Sequence, residues 1–333
     1  MKDKRNPSVD AARVAAAVGI ILSHVDLTGF GAVGVLFGQF LSVRFSLMFF
    51  FAVIGFYVEK ACLAGKDPIL RRIHSLLRVY GIWSMVYLVL SFVMVVLIQK
   101  VPLGQFLVSK TKDFLFSGSY YHFWFYPAAI YALLFIGGVK KLLGHRAFSV
   151  LLPLALVLYA VGLLGTGYLP LGRQIPGLRS LYLAGSFEAV MHLCFLGFPS
   201  VVFGMAAART DRGCSGSALL LAVAAYVAES VILCLHLGWR ENPQMLLSTP
   251  LLTVLFLLWL RDRPLPVIRV NPALCRVVSA GMYNVHPLFL AVFSVLVPGL
   301  DGLWAFGLCL LGSALFGWML YHLRKHKFFA LFL

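Results

Sequence analysis

The chain has 333 residues, of which 61% are hydrophobic and 12% charged, and its formal net charge is +16. Soluble domains carry about 25% charged residues, so this composition excludes a water-soluble fold. About ten spans of roughly 20 residues would also leave little room for a soluble catalytic domain beside them. Apolar spans are expected at about 9–27, 43–63, 76–98, 120–139, 147–168, 183–208, 216–236, 245–260, 277–297 and 303–323. The expected fold is all-α: a polytopic membrane helical bundle of about ten transmembrane helices, forming a single domain over 1–333.

The basic excess is unevenly placed. With the N-terminus inside, 21 of the 28 Lys and Arg fall on cytoplasmic segments. Arg44, Lys100, Lys110, Lys112, Arg173, Arg179 and Arg240 fall on the other side. This bias orients both termini toward the cytoplasm by the positive-inside rule. A nucleic-acid reader would need an exposed basic domain instead, so none is expected as a partner. Lys2, Lys4 and Arg5 before an apolar stretch imitate a signal peptide, but Arg13 interrupts that stretch, and a retained first helix is the expectation. The six cysteines fall in spans or cytoplasmic segments, so they read as packing residues rather than a disulfide framework or zinc site. Residues 99–119 and 169–182 read as outer loops, and 261–276 as a basic, Pro-broken inner loop.

Ionisable residues inside spans cost about 2.5–3.5 kcal/mol each on insertion scales, which makes them the first candidates for function. The first span carries Asp10, Arg13 and His24. Eleven steps of 100° return His24 to within about 20° of Arg13, roughly 16 Å farther along the axis. Asp10 lies three residues before Arg13, at ion-pairing distance. The bland alternatives are an arginine snorkelling to headgroups and a histidine bonded to a neighbouring helix. Arg71, Arg72, His74 and Arg78 form a second basic cluster, either a topology signal or a funnel for a polyanion. His122 and Trp124 open an aromatic stretch at the outer end of the fourth span, where an interfacial belt is the competing reading. Glu188 and His192, four apart, share a face. In the ninth span His286 follows Tyr283 and Asn284 and precedes Pro287, which frees a carbonyl that some donor must satisfy. Glu229 and His236 in the seventh span are weaker candidates.

Together these segments resemble the acyltransferase-3 family of bacterial integral-membrane O-acyltransferases. Val9-Asp10-Ala11-Ala12-Arg13 with His24 resembles the family's hydrophobic-Asp-x-x-Arg start and later histidine. Phe49 to Phe56 is similar to its aromatic run ending in Ser-Gly-Phe, and Arg72 to Leu77 to its Arg-x-x-Arg-Leu-Leu segment. His122 to Pro127 is similar to His-Leu-Trp-Phe-Leu-Pro, and Tyr283 to Pro287 to Tyr-Leu-x-His-Pro. The sequence departs at Ile54, where the family has Ser, and at Ser75, where it has a second Arg. The resemblance implies transfer of an acyl group, commonly acetyl, from acetyl-CoA or another acyl-CoA to a hydroxyl of a sugar or glycolipid acceptor. It also implies a multi-pass protein of the bacterial inner membrane. Arg13, Arg71, Arg72 and Arg78 would then hold the phosphates of coenzyme A, and the pantetheine arm would deliver the thioester near His24. There a neutral imidazole serves as base or nucleophile, with Asp10 and Arg13 beside it on the helix. Tyr283, Asn284, His286 and Trp124 are candidates for the oxyanion donor. No metal is expected. The competing reading is a secondary transporter or polysaccharide exporter, which would also place His, Glu and Arg inside a bundle.

Overall fold

The computed structural model describes residues 6–184, 187–237, 244–263 and 271–333, and every regular element among them is helical. The principal helices are α1 (Pro7–Ser23), α2 (Val43–Leu63), α3 (Ile69–Phe92), α4 (Phe125–Leu143), α5 (Ala147–Gly165) and α6 (Phe198–Arg209). They continue with α7 (Gly216–Leu237), α8 (Thr249–Asp262), α9 (Pro272–Leu296), α10 (Gly302–Leu323) and a terminal turn, α11 (Lys327–Ala330). The all-α membrane bundle read from composition is therefore present. Seven segments of the described residues are long and apolar enough to cross a bilayer. One of them, Phe125–Gly165, holds both α4 and α5, which turn at Gly144 with φ +54. The 17 residues of α1 are at the lower limit for a hydrocarbon core of about 30 Å, and the 14 of α8 fall short of it.

Local chemistry sets where the helices begin. Asn6 caps α1 by accepting from the Ser8 amide at 2.8 Å, with Pro7 at the first helical position. Asn271 and Pro272 repeat the device on α9, accepting from the Ala273 amide at 2.9 Å. Asn and Pro suit these positions because the side chain satisfies an orphan amide and proline has none to lose. Asn6 also donates to the carbonyl of Leu260 at 2.7 Å, which ties the start of α1 to the end of α8.

Glycine lets the helices approach. In a bilayer the hydrophobic effect gives little drive between helices, so close packing of small residues carries much of the association. A Cβ on Gly55 of α2 would lie 1.8 Å from the carbonyl oxygen of Val201, and one on Gly204 of α6 would lie 1.9 Å from that of Ala52. A Cβ on Gly281 of α9 would lie 2.7 Å from the Cα of Gly317 on α10. With α2 buried along most of its length, α1, α2, α3, α4 and α9 enclose one central space.

Several boundaries differ from the sequence expectation. Helix α1 stops at Ser23, four residues before the expected end of the span, so His24 caps the helix instead of lying within it. Helix α3 starts at Ile69, seven residues before the expected span, and carries the whole basic cluster on its first turns. Helix α4 starts at Phe125, leaving His122 and Trp124 in the turn before it. The sixth span is interrupted by a wide π-helical stretch, Met191–Gly197. The expected loop 99–119 contains a helix, Leu103–Lys112, and 169–182 contains two short ones. Arg240, Arg269 and the N-terminal Lys2, Lys4 and Arg5 lie outside the described residues. The six cysteines are free thiols.

Candidate active site between two cavities

The starts of α1, α3 and α9 share one end of the bundle, and each contributes an arginine there. Arg13, Arg72 and Arg276 all line a cavity of about 320 Å³. A second cavity of about 430 Å³ shares Arg13, Arg72 and Ser75 with it and adds Lys66 and Arg71. The two spaces form one cationic funnel. Three helix N-termini point the same way, and their partial positive charge adds to the attraction for an anion.

Helix geometry decides which basic residues face the funnel. Arg72, Ser75, Leu76 and Val79 stand at i, i+3, i+4 and i+7, and all four line the cavity. Arg78 is six residues from Arg72, about 240° around the helix; it is exposed and lines neither space. The expected cluster therefore divides: Arg71 and Arg72 face the funnel and Arg78 does not.

Asp10 holds two of the arginines. It is fully buried and lies 2.7 Å from Arg276 and 3.7 Å from Arg13. The i, i+3 pair foreseen on α1 is thus the longer of two ion pairs, and the shorter one reaches across to α9. The Arg13 guanidinium also sits 5.9 Å from the Phe50 ring, which lines the same cavity. Arg276 was not singled out in the sequence as a site residue. The shared Asn-Pro start of α1 and α9 is the signal that sets both arginines within the first two turns at the same end.

The funnel ends on Ile20 and Tyr283. Just beyond them lie His24, four residues past Ile20, and His286, three past Tyr283. Each imidazole is fixed by a carbonyl that the helix leaves without a partner. Helix α1 ends before a backbone amide can reach the Ile20 carbonyl, so His24 Nδ1 takes it at 2.8 Å, beside the Ser23 hydroxyl at 2.7 Å. Pro287 has no N–H for the Tyr283 carbonyl, so His286 Nδ1 takes it at 2.9 Å and shares the Met282 carbonyl at 3.1 Å. The carbonyl freed by Pro287 is thus satisfied by the neighbouring residue's own ring. Only a protonated Nδ1 can donate to a carbonyl, so in each neutral ring Nε2 carries the lone pair.

The rings of His24 and His286 lie 4.9 Å apart, and that of His122 lies 5.3 Å from His286. His122 is buried within the bundle, against Tyr87 and Tyr283, and not in an interfacial belt. Tyr283 donates its hydroxyl to the His122 carbonyl. Asn284 accepts from Tyr126 at 2.7 Å and donates to the Ala280 carbonyl at 2.9 Å. Tyr283 has therefore spent its hydroxyl proton, and His286 presents a lone pair, so neither offers an oxyanion a hydrogen bond in this arrangement.

Beyond the histidines the molecule opens again. His24 lines a cavity of about 570 Å³ with Asp26, Thr28 and Asp301. Asp26 accepts from the Thr28 amide and hydroxyl at 2.9 and 2.6 Å, which holds its carboxyl below the usual range. Tyr121, whose ring is 5.3 Å from that of His24, lines a neighbouring cavity of about 540 Å³ with Trp124, Glu188 and His192. Trp124 stacks on His192 at 3.9 Å. Glu188 and His192 do share one space, as their spacing suggested, but Trp124 belongs to this outer pocket. Glu229 is structural: its carboxylate accepts from the Leu247 and Ser248 amides at 2.6 and 2.8 Å and caps the start of α8. Among the described residues no group of His, Cys, Asp or Glu is placed to hold a metal ion.

The profile of the acyltransferase domain family matches residues 6–322. Curated relatives include an amino-acid racemase of Enterococcus faecalis, 23% identical over 88% of this chain and 42% of the racemase. A serine/alanine racemase of Enterococcus gallinarum is 27% identical over 57% of this chain and 26% of its own length. The chain therefore spans less than half the length of these relatives. No solved structure matches it.

Proposed function

The chain belongs to the acyltransferase-3 family, and from that premise we propose that it moves an acyl group from cytoplasmic acyl-CoA to a sugar hydroxyl. The acyl group is acetyl in the simplest case, and the acceptor a cell-envelope or lipid-linked saccharide at a bacterial inner membrane. The observation that carries this reading is the convergence of Arg13, Arg72 and Arg276 on one cavity whose far wall lies one helical turn before His24 and His286. Coenzyme A carries three phosphate groups at one end and the thioester at the other. Guanidinium groups suit phosphate because their donors match its oxygens in pairs.

The funnel arginines hold the nucleotide, and Asp10 is a positioning residue that turns Arg13 and Arg276 toward it. The outstretched pantetheine arm is of the same order as the roughly 16 Å from Arg13 to His24. Ile20 and Tyr283 stand between the funnel and His24, so the thioester must pass those two side chains. His24 then meets it with the lone pair on Nε2, either removing the acceptor's proton or taking the acyl group itself. The acceptor reaches His24 from the opposite cavity, which His24 lines. The racemase names attach to proteins more than twice as long as the region matched, and the present site favours acyl transfer.

Acetyl-CoA should raise the melting temperature of the purified protein, since a ligand at a hundred times its Kd stabilises by about 2.7 kcal/mol. Arg72→Ala should remove most of that shift. Ion-coupled uptake with no response to acetyl-CoA would favour a carrier instead.

A further inference from the structure

Acyl transfer through an acyl-imidazole needs one nitrogen to bond the acyl carbon and a second base to take the acceptor's proton. One imidazole cannot serve both needs at once, because its single lone pair is then in the bond to carbon. Building on acyl transfer at His24, we infer that His286 is the second base and accepts the acceptor's proton while His24 carries the acyl group.

Four observations place it there. His286 is 0% exposed, and its Nε2 has no hydrogen-bond partner. Its Nδ1 is held by the Tyr283 and Met282 carbonyls, so the ring cannot turn to bury that lone pair against a donor without orphaning them. Its ring lies 4.9 Å from that of His24, so an oxygen attacking a carbon bonded to His24 comes within reach of it. His122 lies beyond it, 5.3 Å farther along the row. A buried acceptor left unpaired costs about 1–3 kcal/mol, a cost that a leucine packed in the same place would not carry.

The steps balance. His24 Nε2 bonds the thioester carbon as the C–S bond breaks and coenzyme A leaves as the thiolate. The acceptor oxygen then bonds the same carbon, its proton moves to His286 Nε2, and the bond to His24 breaks. Coenzyme A leaves through the funnel before the acceptor attacks, its thiolate taking a proton from cytoplasmic water. His286 later returns the acceptor's proton to water, so protons balance and both rings are restored.

The test uses full-length protein in lipid nanodiscs, acetyl-CoA as donor and water as the acceptor probe, with free thiol followed from the first turnover. Wild type should release one coenzyme A per chain rapidly, then continue slowly, and acetyl should be found on the peptide holding His24. His286→Asn keeps an N–H for the Tyr283 carbonyl but removes the base. It should retain the first release and lose the slow phase by about 10²–10⁴-fold. Hydroxylamine, whose amine attacks without a base, should clear the acetyl group from both proteins at similar rates. Equal losses in both phases, or acetyl clearing from His286→Asn into water at the wild-type rate, would overturn the role of His286. Thiol release with no acetyl on His24 would also overturn it, leaving direct transfer intact. If wild type neither bound acetyl-CoA nor released thiol, acyl transfer itself would fall, and the role of His286 with it.

Discussion

Two fully buried carboxylates sit toward the basic end of the bundle, each flanked by two cations, and they do different things. Glu59 of α2 pairs with Arg209 of α6, at 2.6 Å, and with Lys140 of α4. Arg209 also lies over the Phe148 ring of α5, so one carboxylate draws four helices together. Asp10 pairs with Arg13 and Arg276 at a similar depth, but its cations line the funnel. Lys140 and Arg209 line neither basic cavity. Similar electrostatics therefore yields a staple in one place and a presented pair of guanidinium groups in the other. What separates them is where the cations stand: Arg209 and Lys140 are as exposed as Arg276 and Arg13 but border neither basic cavity, whereas Arg13 and Arg276 line the funnel.

The comparison can be broken at four points. Glu59→Gln should give the largest loss of stability, about 1.5–3 kcal/mol, because it removes the charge shared by two cations that keep partial access to water. Denaturant melts would measure it, and the KM for acetyl-CoA of the folded fraction should stay within about twofold. Arg72→Ala should do the reverse, raising that KM by about 10–100-fold for the loss of about 1.5–3 kcal/mol of charge-assisted hydrogen bonding, with little change in melting. Asp10→Asn should fall between them, with KM up about 10-fold from misdirected arginines and a smaller fall in melting than Glu59→Gln. Arg78→Ala should be nearly silent, within about twofold in KM, since it faces away from the funnel. A large KM effect from Arg78 with none from Arg72 would reverse the assignment of the face.

Much of α1 was legible beforehand. Its angular arithmetic put Asp10, Arg13 and His24 on one stripe, and all three side chains border the cavities or pair with residues that do. The consequence of Pro287 was legible too, because a missing N–H leaves a carbonyl that something must satisfy. The same arithmetic applied to Arg72 and Arg78 separates them, so reading the cluster as a unit went too far. The Asp10–Arg276 pair joins residues 266 apart, and nothing local in either segment specifies the other. The meeting of His24 with His286, and of His286 with His122, depends on how α1, α9 and the turn before α4 pack together, which no local stretch of sequence specifies. The place where α1 ends was also hidden, because Ser23, His24 and Val25 carry no strong stop signal.

Release of coenzyme A from acetyl-CoA by purified His24→Ala protein tests the central claim most directly. The account predicts that release falls to the uncatalysed level while acetyl-CoA still raises the melting temperature as in wild type. Release at the wild-type rate would contradict it.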